Sequence, residues 1–139
     1  MQTRLVTLLA IVLSGAAGVV PTAFAGDPPQ TAIAESVSQA DLLARLGRKD
    51  PDLVVLDVRT PAEFAAGHVP GARNISHELL SSRLAELEPL RAKQVVLYCR
   101  SGRRTLLAAE VLHAAGFTRL AHLEGDYLAW EAEHRPIER

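Results

Sequence analysis

Two short apolar runs constrain the fold of this chain more than any other feature of its sequence. Residues 53–56 read Leu-Val-Val-Leu, and residues 94–98 read Gln-Val-Val-Leu-Tyr. The apolar residues in each run are consecutive, which is typical of strands covered on both faces of a sheet. Segments with helical spacing of apolar residues lie between and after the runs. This alternation predicts an α/β fold, in which helices cover both faces of a mostly parallel central sheet.

Capping residues locate the predicted helices. A capping box at residues 38–41 opens a helix that Gly47 ends, and a second box at residues 60–63, with Pro61 in the first helical position, opens a helix that Gly67 ends. The remaining predicted elements are a helix over residues 78–87, a helix over 105–115, a strand over 120–123, and a last helix that carries Tyr127, Leu128 and Trp130.

Composition limits the classes of protein to which the chain can belong. Its 139 residues suit one domain, and 48% apolar residues with a net charge of −1 exclude a disordered polyelectrolyte and argue against nucleic-acid binding. One cysteine excludes an intramolecular disulfide, and the five histidines are not clustered. We therefore expect no metal site. The apolar helical faces fit an ordinary core, so a monomer is expected.

The first 25 residues have the pattern of a secretory signal. Arg4 supplies a positive n-region, residues 5–20 are uncharged and mainly apolar, and residues 23–25 read Ala-Phe-Ala, a cleavage pattern. An uncleaved anchor is the weaker alternative, because a membrane span needs about 20 consecutive apolar residues. We expect a signal peptide over residues 1–25, a domain over 26–139, only transient membrane contact, and a periplasmic or secreted product.

The lone cysteine lies where ligands bind in such folds. Cys99 follows the second apolar run and Asp57 follows the first, so both are expected at the carboxyl edge of the sheet. Residues 99–104 connect strand to helix. Backbone N–H groups and the positive end of a helix dipole stabilise a thiolate there, and we expect the thiol at the mouth of this loop.

Three arginines, Arg100, Arg103 and Arg104, add positive charge that attracts small anions. Two alternatives stay open. In the first, Cys99 is a buried residue that only packs in the core. In the second, the arginines are solvated or form ion pairs with acidic residues, for which Glu63, Asp57 and Glu110 are the candidates.

Four separated motifs carry a resemblance to a known family. They are residues 56–64, residues 67–75, residues 98–104, and residues 123–125 with Trp130. Together they resemble the rhodanese domain, most closely its small exported single-domain members, over nearly all of residues 32–139. The family usually has a second glycine where this chain has Asp126, and often a proline where it has Ser76. Because Asp tolerates positive φ better than most residues, we expect only a local adjustment at Asp126.

The resemblance implies a three-layer rhodanese-like fold and sulfur transfer in two steps. Cys99 would attack a small anionic sulfur donor such as thiosulfate, hold the sulfur as a persulfide, and pass it to a thiophilic acceptor. By the family pattern Asp57 and Arg59 brace the active loop, although an ordinary ion pair at the strand end is the alternative. No metal or cofactor is implied. The predicted substrate-binding residues are Arg100, Ser101, Gly102, Arg103 and Arg104.

Two other functions remain open at this point. Cysteine-dependent phosphatases with a related loop need an arginine six positions after the cysteine, where this chain has Thr105, whereas Arg104 comes at five. The shorter loop fits a single sulfur atom better than a phosphate. A non-catalytic binding or redox module would use Cys99 as a sensor or as a site of mixed disulfides.

Overall fold

The structure is a computed structural model that describes residues 31–139. The predicted signal peptide, residues 1–25, lies outside the described residues. Within residues 31–139, every helix is too short or too polar to cross a bilayer.

A five-stranded sheet forms the centre of the described chain. Its strands are β1 (Glu35–Val37), β2 (Leu53–Asp57), β3 (Arg73–Asn74), β4 (Gln94–Tyr98) and β5 (Leu120–Leu123), in the spatial order β1-β5-β4-β2-β3. All neighbouring strands are parallel. The predicted parallel sheet and its three core strands are confirmed. The sequence analysis missed β1 and β3, because runs of three and two residues are too short to show a period.

Four helices surround the sheet: α1 (Gln39–Gly47), α2 (Pro61–Ala66), α3 (Arg103–Ala114) and α4 (Asp126–Ala132). The side chain of Ser38 accepts a hydrogen bond from the Asp41 N–H, which caps α1. Thr60 and Glu63 form the predicted capping box of α2, with Pro61 in its first turn. The predicted starts of these two helices are therefore confirmed, while α3 begins two residues earlier than predicted.

The helix predicted over residues 78–87 is wrong. The chain there forms three 3-10 turns, Leu80–Ser82, Leu84–Glu86 and Glu88–Leu90. Leu84, Leu87 and Leu90 recur every three residues, which is the period of a 3-10 helix and places them on one side of it. The Ser82 hydroxyl also donates to the carbonyl of Leu79, an arrangement that competes with a regular helix.

Side chains alternate across the two central strands and feed two separate cores. Val54 and Leu56 of β2 join a cluster that includes Leu112 of α3, whereas Val55 joins a cluster that includes Leu42 of α1 and Trp130 of α4. Helices thus cover both faces, as predicted. In the register of β2 with β4, Asp57 lies opposite Tyr98, so the chain leaves both strands at the same edge.

Gly125 makes the turn from β5 into α4 possible, and this gives a first prediction. Its φ is 73°, and a Cβ there would overlap the Cβ of Ala129. Gly125→Ala should lower the free energy of unfolding by about 2 to 4 kcal/mol, from left-handed strain and overpacking together. Urea denaturation measures the change.

Gly47→Ala is the matched control. A Cβ at Gly47 at the end of α1 meets nothing within 4 Å. The same substitution should there leave stability unchanged or raise it by up to about 1 kcal/mol. Equal losses in both variants would contradict the role assigned to Gly125.

Candidate active site

Cys99 follows β4 directly and begins the loop that leads into α3. Its Sγ accepts a hydrogen bond from the N–H of Gly102, with 2.9 Å between the two atoms. Gly102 is the N-cap of α3 and has a φ of 108°, a conformation that glycine adopts without strain. The sulfur therefore lies at the positive end of the α3 dipole, where a negative charge is stabilised.

The thiol is more deeply placed than the sequence predicted. Cys99 is only 1% exposed and packs against the core cluster on the α3 face. The expectation of a thiol at the mouth of the loop is therefore wrong.

The first turn of α4 holds the Cys99 loop by its backbone. The N–H groups of Tyr127 and Leu128 donate to the carbonyls of Cys99 and Arg100, at 3.0 and 3.1 Å. In the opposite direction, the N–H of Cys99 donates to Oδ1 of Asp126 at 2.9 Å. Three hydrogen bonds thus fix the first two residues of the loop against one helix end.

Asp126 is one of the two residues that depart from the pattern of the resembled family, and its side chain makes contacts that a glycine could not. It has a φ of 51°, which confirms the expected positive φ, and is 3% exposed. Its carboxylate also accepts from the Thr105 hydroxyl at 3.2 Å and lies 2.7 Å from Nε2 of His122. The hydrogen bond to Asp126 raises the pKa of His122, and partial burial of the imidazole opposes that rise.

Sequence reasoning missed the part that Thr105 and His122 play here. Thr105 lies on α3 and His122 on β5. Their common contact with Asp126 depends on how these elements pack, which no spacing in the sequence records. The one signal was the aspartate at residue 126, which stood where the resembled family has glycine.

Of the three arginines in the loop, one lies beside the thiol. Arg104 donates to both carboxylate oxygens of Glu63, at 2.7 and 2.9 Å, one of the pairings left open by the sequence. The hydrogen bond to Glu63 raises the pKa of Arg104, and Cys99 adds a smaller rise. Arg100 and Arg103 are exposed, as is Ser101, and neither arginine forms an ion pair with any residue from 31 to 139.

Asp57 and Arg59 form a buried ion pair at the end of β2. The guanidinium makes three hydrogen bonds to the carboxylate, at 2.7 to 3.0 Å, and one to the carbonyl of Gly67 at 2.7 Å. It also lies over the ring of Tyr127, 3.9 Å from the ring centroid. The pair reaches the Cys99 loop through Tyr127 and through Tyr98, the residue before Cys99, whose ring centroid lies 5.5 Å from the guanidinium carbon.

A small cavity opens beside the loop. Its volume is 150 Å³, and it is lined by Arg59, Glu63, Ala66, Gly67, Arg100, Tyr127 and Glu131. Sites for drug-sized ligands are about 300 to 1,000 Å³, so this space suits a small molecule. Within residues 31–139, no group of three or more His, Cys, Asp or Glu side chains is arranged to hold a metal ion.

Known proteins are similar to this chain in sequence and in fold. A family model described as Rhodanese-like domain matches residues 38–133. A sulfurtransferase of Allochromatium vinosum is 37% identical over 62% of this chain and 78% of its own length. A thiosulfate:glutathione sulfurtransferase of Saccharomyces cerevisiae is 29% identical over 69% of this chain and 77% of its own length.

Solved structures agree with the sequence matches. The crystal structure of a rhodanese-related protein from Thermoplasma volcanium superposes with a TM-score of 0.64 at 30% identity, covering 75% of this chain and 97% of that one. Some relatives are much longer, and the chain spans only 28% of a probable adenylyltransferase/sulfurtransferase of Mycobacterium tuberculosis.

The Glu63–Arg104 pair generates a prediction about pH. Hydrogen bonding to Arg104 lowers the pKa of Glu63 from 4.5 to about 2. A lowered folded-state pKa adds stability above the unfolded value, and this contribution is lost as the pH falls from 4.5 towards 2. Glu63→Gln should therefore be less stable than the wild type at pH 7, by at most about 1 kcal/mol because solvent screens the pair.

The difference should shrink to nothing near pH 2 when urea unfolding is compared across the pH range. Gln preserves the capping of α2, so the variant isolates the charge. Glu110→Gln is the control, because Glu110 is exposed on α3 and makes no ion pair within residues 31–139. A gap between Glu63→Gln and wild type that stays constant with pH would contradict the assignment.

Proposed function

This chain belongs to the rhodanese-like domain family, and from that membership we propose that it is a sulfurtransferase in which Cys99 carries the transferred sulfur as a persulfide. One observation carries the proposal: Sγ of Cys99 faces the amino end of α3 and accepts the Gly102 N–H. Sulfurtransferase names among its relatives support sulfur transfer in general.

In the first step, the Cys99 thiolate attacks the outer sulfur of thiosulfate or a similar donor. A bond forms between Sγ and that sulfur, the bond between the two donor sulfurs breaks, and sulfite leaves with the electron pair. The Gly102 N–H and the α3 dipole stabilise the sulfur anion throughout. Because Cys99 is 1% exposed, a donor with a small terminal sulfur is favoured over a bulky one.

In the second step, a thiophilic acceptor attacks the terminal sulfur of the persulfide. The new bond joins acceptor and sulfur, the persulfide bond breaks, and the Cys99 thiolate is regenerated. Dividing the transfer between two such steps is the advantage of a covalent intermediate. The cavity beside Arg100 offers space for a small acceptor, such as cyanide or a low-molecular-weight thiol. The exposed Arg100 and Arg103 attract anionic substrates to this edge.

We also propose where the reaction takes place. Residues 1–25 would direct the chain to the periplasm or the medium and then be removed, leaving a monomer that acts on small molecules without a cofactor. Cell fractionation with amino-terminal sequencing tests this. An intact amino terminus on protein from the cytoplasm would contradict it.

Replacing the nucleophile gives the direct test of the activity. Wild-type protein incubated with thiosulfate should gain one sulfur atom on Cys99 by mass spectrometry, and with cyanide it should release thiocyanate. Cys99→Ser should gain no sulfur and lose at least about a thousandfold in rate, because no other group in the site can form a persulfide.

A control and a competing activity complete the test. His113→Gln, on the exposed face of α3 far along the helix from Cys99, should react like the wild type. A wild-type protein that gains no sulfur, or a Cys99→Ser variant of equal activity, would overturn the proposal. Cys99-dependent turnover of an aryl phosphate would favour a phosphatase instead.

A further inference from the structure

A carboxylate lies directly behind the nucleophile. Oδ1 of Asp126 is 2.9 Å from the backbone nitrogen of Cys99, and the residue is 3% exposed. A negative charge beside the Cys99 backbone opposes the formation of a second negative charge on the sulfur of the same residue. Without a cation to compensate it, an aspartate at this position would reduce the fraction of Cys99 that is present as the nucleophilic thiolate.

A cation is available at the same place. Nε2 of His122 lies 2.7 Å from Oδ2 of Asp126, on the side of the carboxylate that does not contact Cys99. The histidine comes from β5, and its side chain is 27% exposed, so it exchanges protons with solvent. When His122 is protonated, the pair carries no net charge.

Gly102 lies close to the Asp126–His122 pair and to the thiol of Cys99. A Cβ on Gly102 would lie 3.1 Å from Oδ2 of Asp126 and 3.4 Å from Cε1 of His122. The same residue donates its N–H to Sγ of Cys99. The carboxylate, the imidazole and the sulfur therefore all lie close to the same glycine.

We propose that Asp126 and His122 form a positioning pair for Cys99, in which Asp126 fixes the backbone of the nucleophile and protonated His122 cancels the charge that Asp126 brings. The proposal rests on the proposed function only in taking Cys99 as the nucleophile. Neither residue needs to touch the substrate.

Several other ionisable residues lie on the elements packed against the pair. They are Glu35 on β1, Tyr98 and Cys99 at the end of β4, Arg103, Arg104, Glu110 and His113 on α3, Glu124 just before α4, and Tyr127 and Glu131 on α4. Arg104 is paired with Glu63, and Glu124 accepts from the hydroxyl of Ser36. Asp126 is the charged group that raises the pKa of His122.

Paired substitutions test the proposal. His122→Gln keeps a hydrogen-bond donor for Asp126 but removes the cation, and Asp126→Asn keeps the acceptor for the Cys99 N–H but removes the anion. The far-ultraviolet absorbance of the thiolate, followed against pH with Cys99→Ser subtracted, measures ionisation of the single cysteine without requiring reagent access. No sulfur donor is present, so the readout is independent of sulfur transfer.

His122→Gln should lower the ratio of thiolate to thiol at pH 6 by about three- to tenfold, as expected for one uncompensated charge several ångströms away. The double variant with Asp126→Asn should recover the wild-type ratio within about twofold, and His113→Gln should match the wild type. A purely structural role would give a double variant at least as impaired as the single one.

A second measurement covers the case in which His122→Gln folds poorly. NMR titration of the His122 ring should show its pKa falling in Asp126→Asn relative to the wild type, because the partner carboxylate is gone. An unchanged His122 titration overturns the proposal, as does a wild-type thiolate ratio in His122→Gln or a double variant that fails to recover. Failure of sulfur transfer with this ionisation pattern intact would refute the proposed function alone.

Discussion

The attachment of the Cys99 loop to the first turn of α4 is the interaction on which the site depends. Two N–H groups of α4 hold the carbonyls of Cys99 and Arg100, and Asp126 holds the N–H of Cys99. With those backbone groups occupied, the loop is free to turn only at Gly102, which directs its own N–H to the sulfur. The parallel sheet places the loop at the carboxyl edge of the sheet, and the hydrogen bonds to α4 fix the conformation of the loop.

Charges around the site are balanced in pairs. Arg59 binds Asp57, Arg104 binds Glu63, and His122 binds Asp126. A count of arginines in residues 99–104 therefore overstates the local positive charge. The groups that can still stabilise an anion are the amide of Gly102, the amino end of the α3 dipole, and the exposed guanidinium groups of Arg100 and Arg103. One directed amide and a helix end thus contribute to the stabilisation of an anion in this site, together with the exposed guanidinium groups.

The elements that could be predicted from the sequence are those marked by a pattern within a few consecutive residues. The capping boxes at residues 38–41 and 60–63 and the apolar runs of β2 and β4 each contain enough residues to show a pattern. The helix predicted over residues 78–87 was wrong because leucines spaced three and four residues apart are compatible with both an α-helix and a series of 3-10 turns. Tertiary packing decides between the two.

The site shows the same division between local and tertiary signals. Cys99, Gly102 and the loop around them were identified from their position between strand and helix. The depth of the thiol and the contacts of His122 depend on how α4 and β5 approach the loop, which no spacing in the sequence records.

The burial of Cys99 has a consequence for the lifetime of the protein. Two sulfurs must approach to about 2.05 Å to form a disulfide, and a sulfur as deeply buried as that of Cys99 cannot meet a cysteine of a second protein molecule without local unfolding. The enclosure therefore acts as a size filter on oxidants. Wherever the chain encounters an oxidising medium, covalent dimers and mixed disulfides with large partners are prevented by steric exclusion, with no reducing system needed to reverse them.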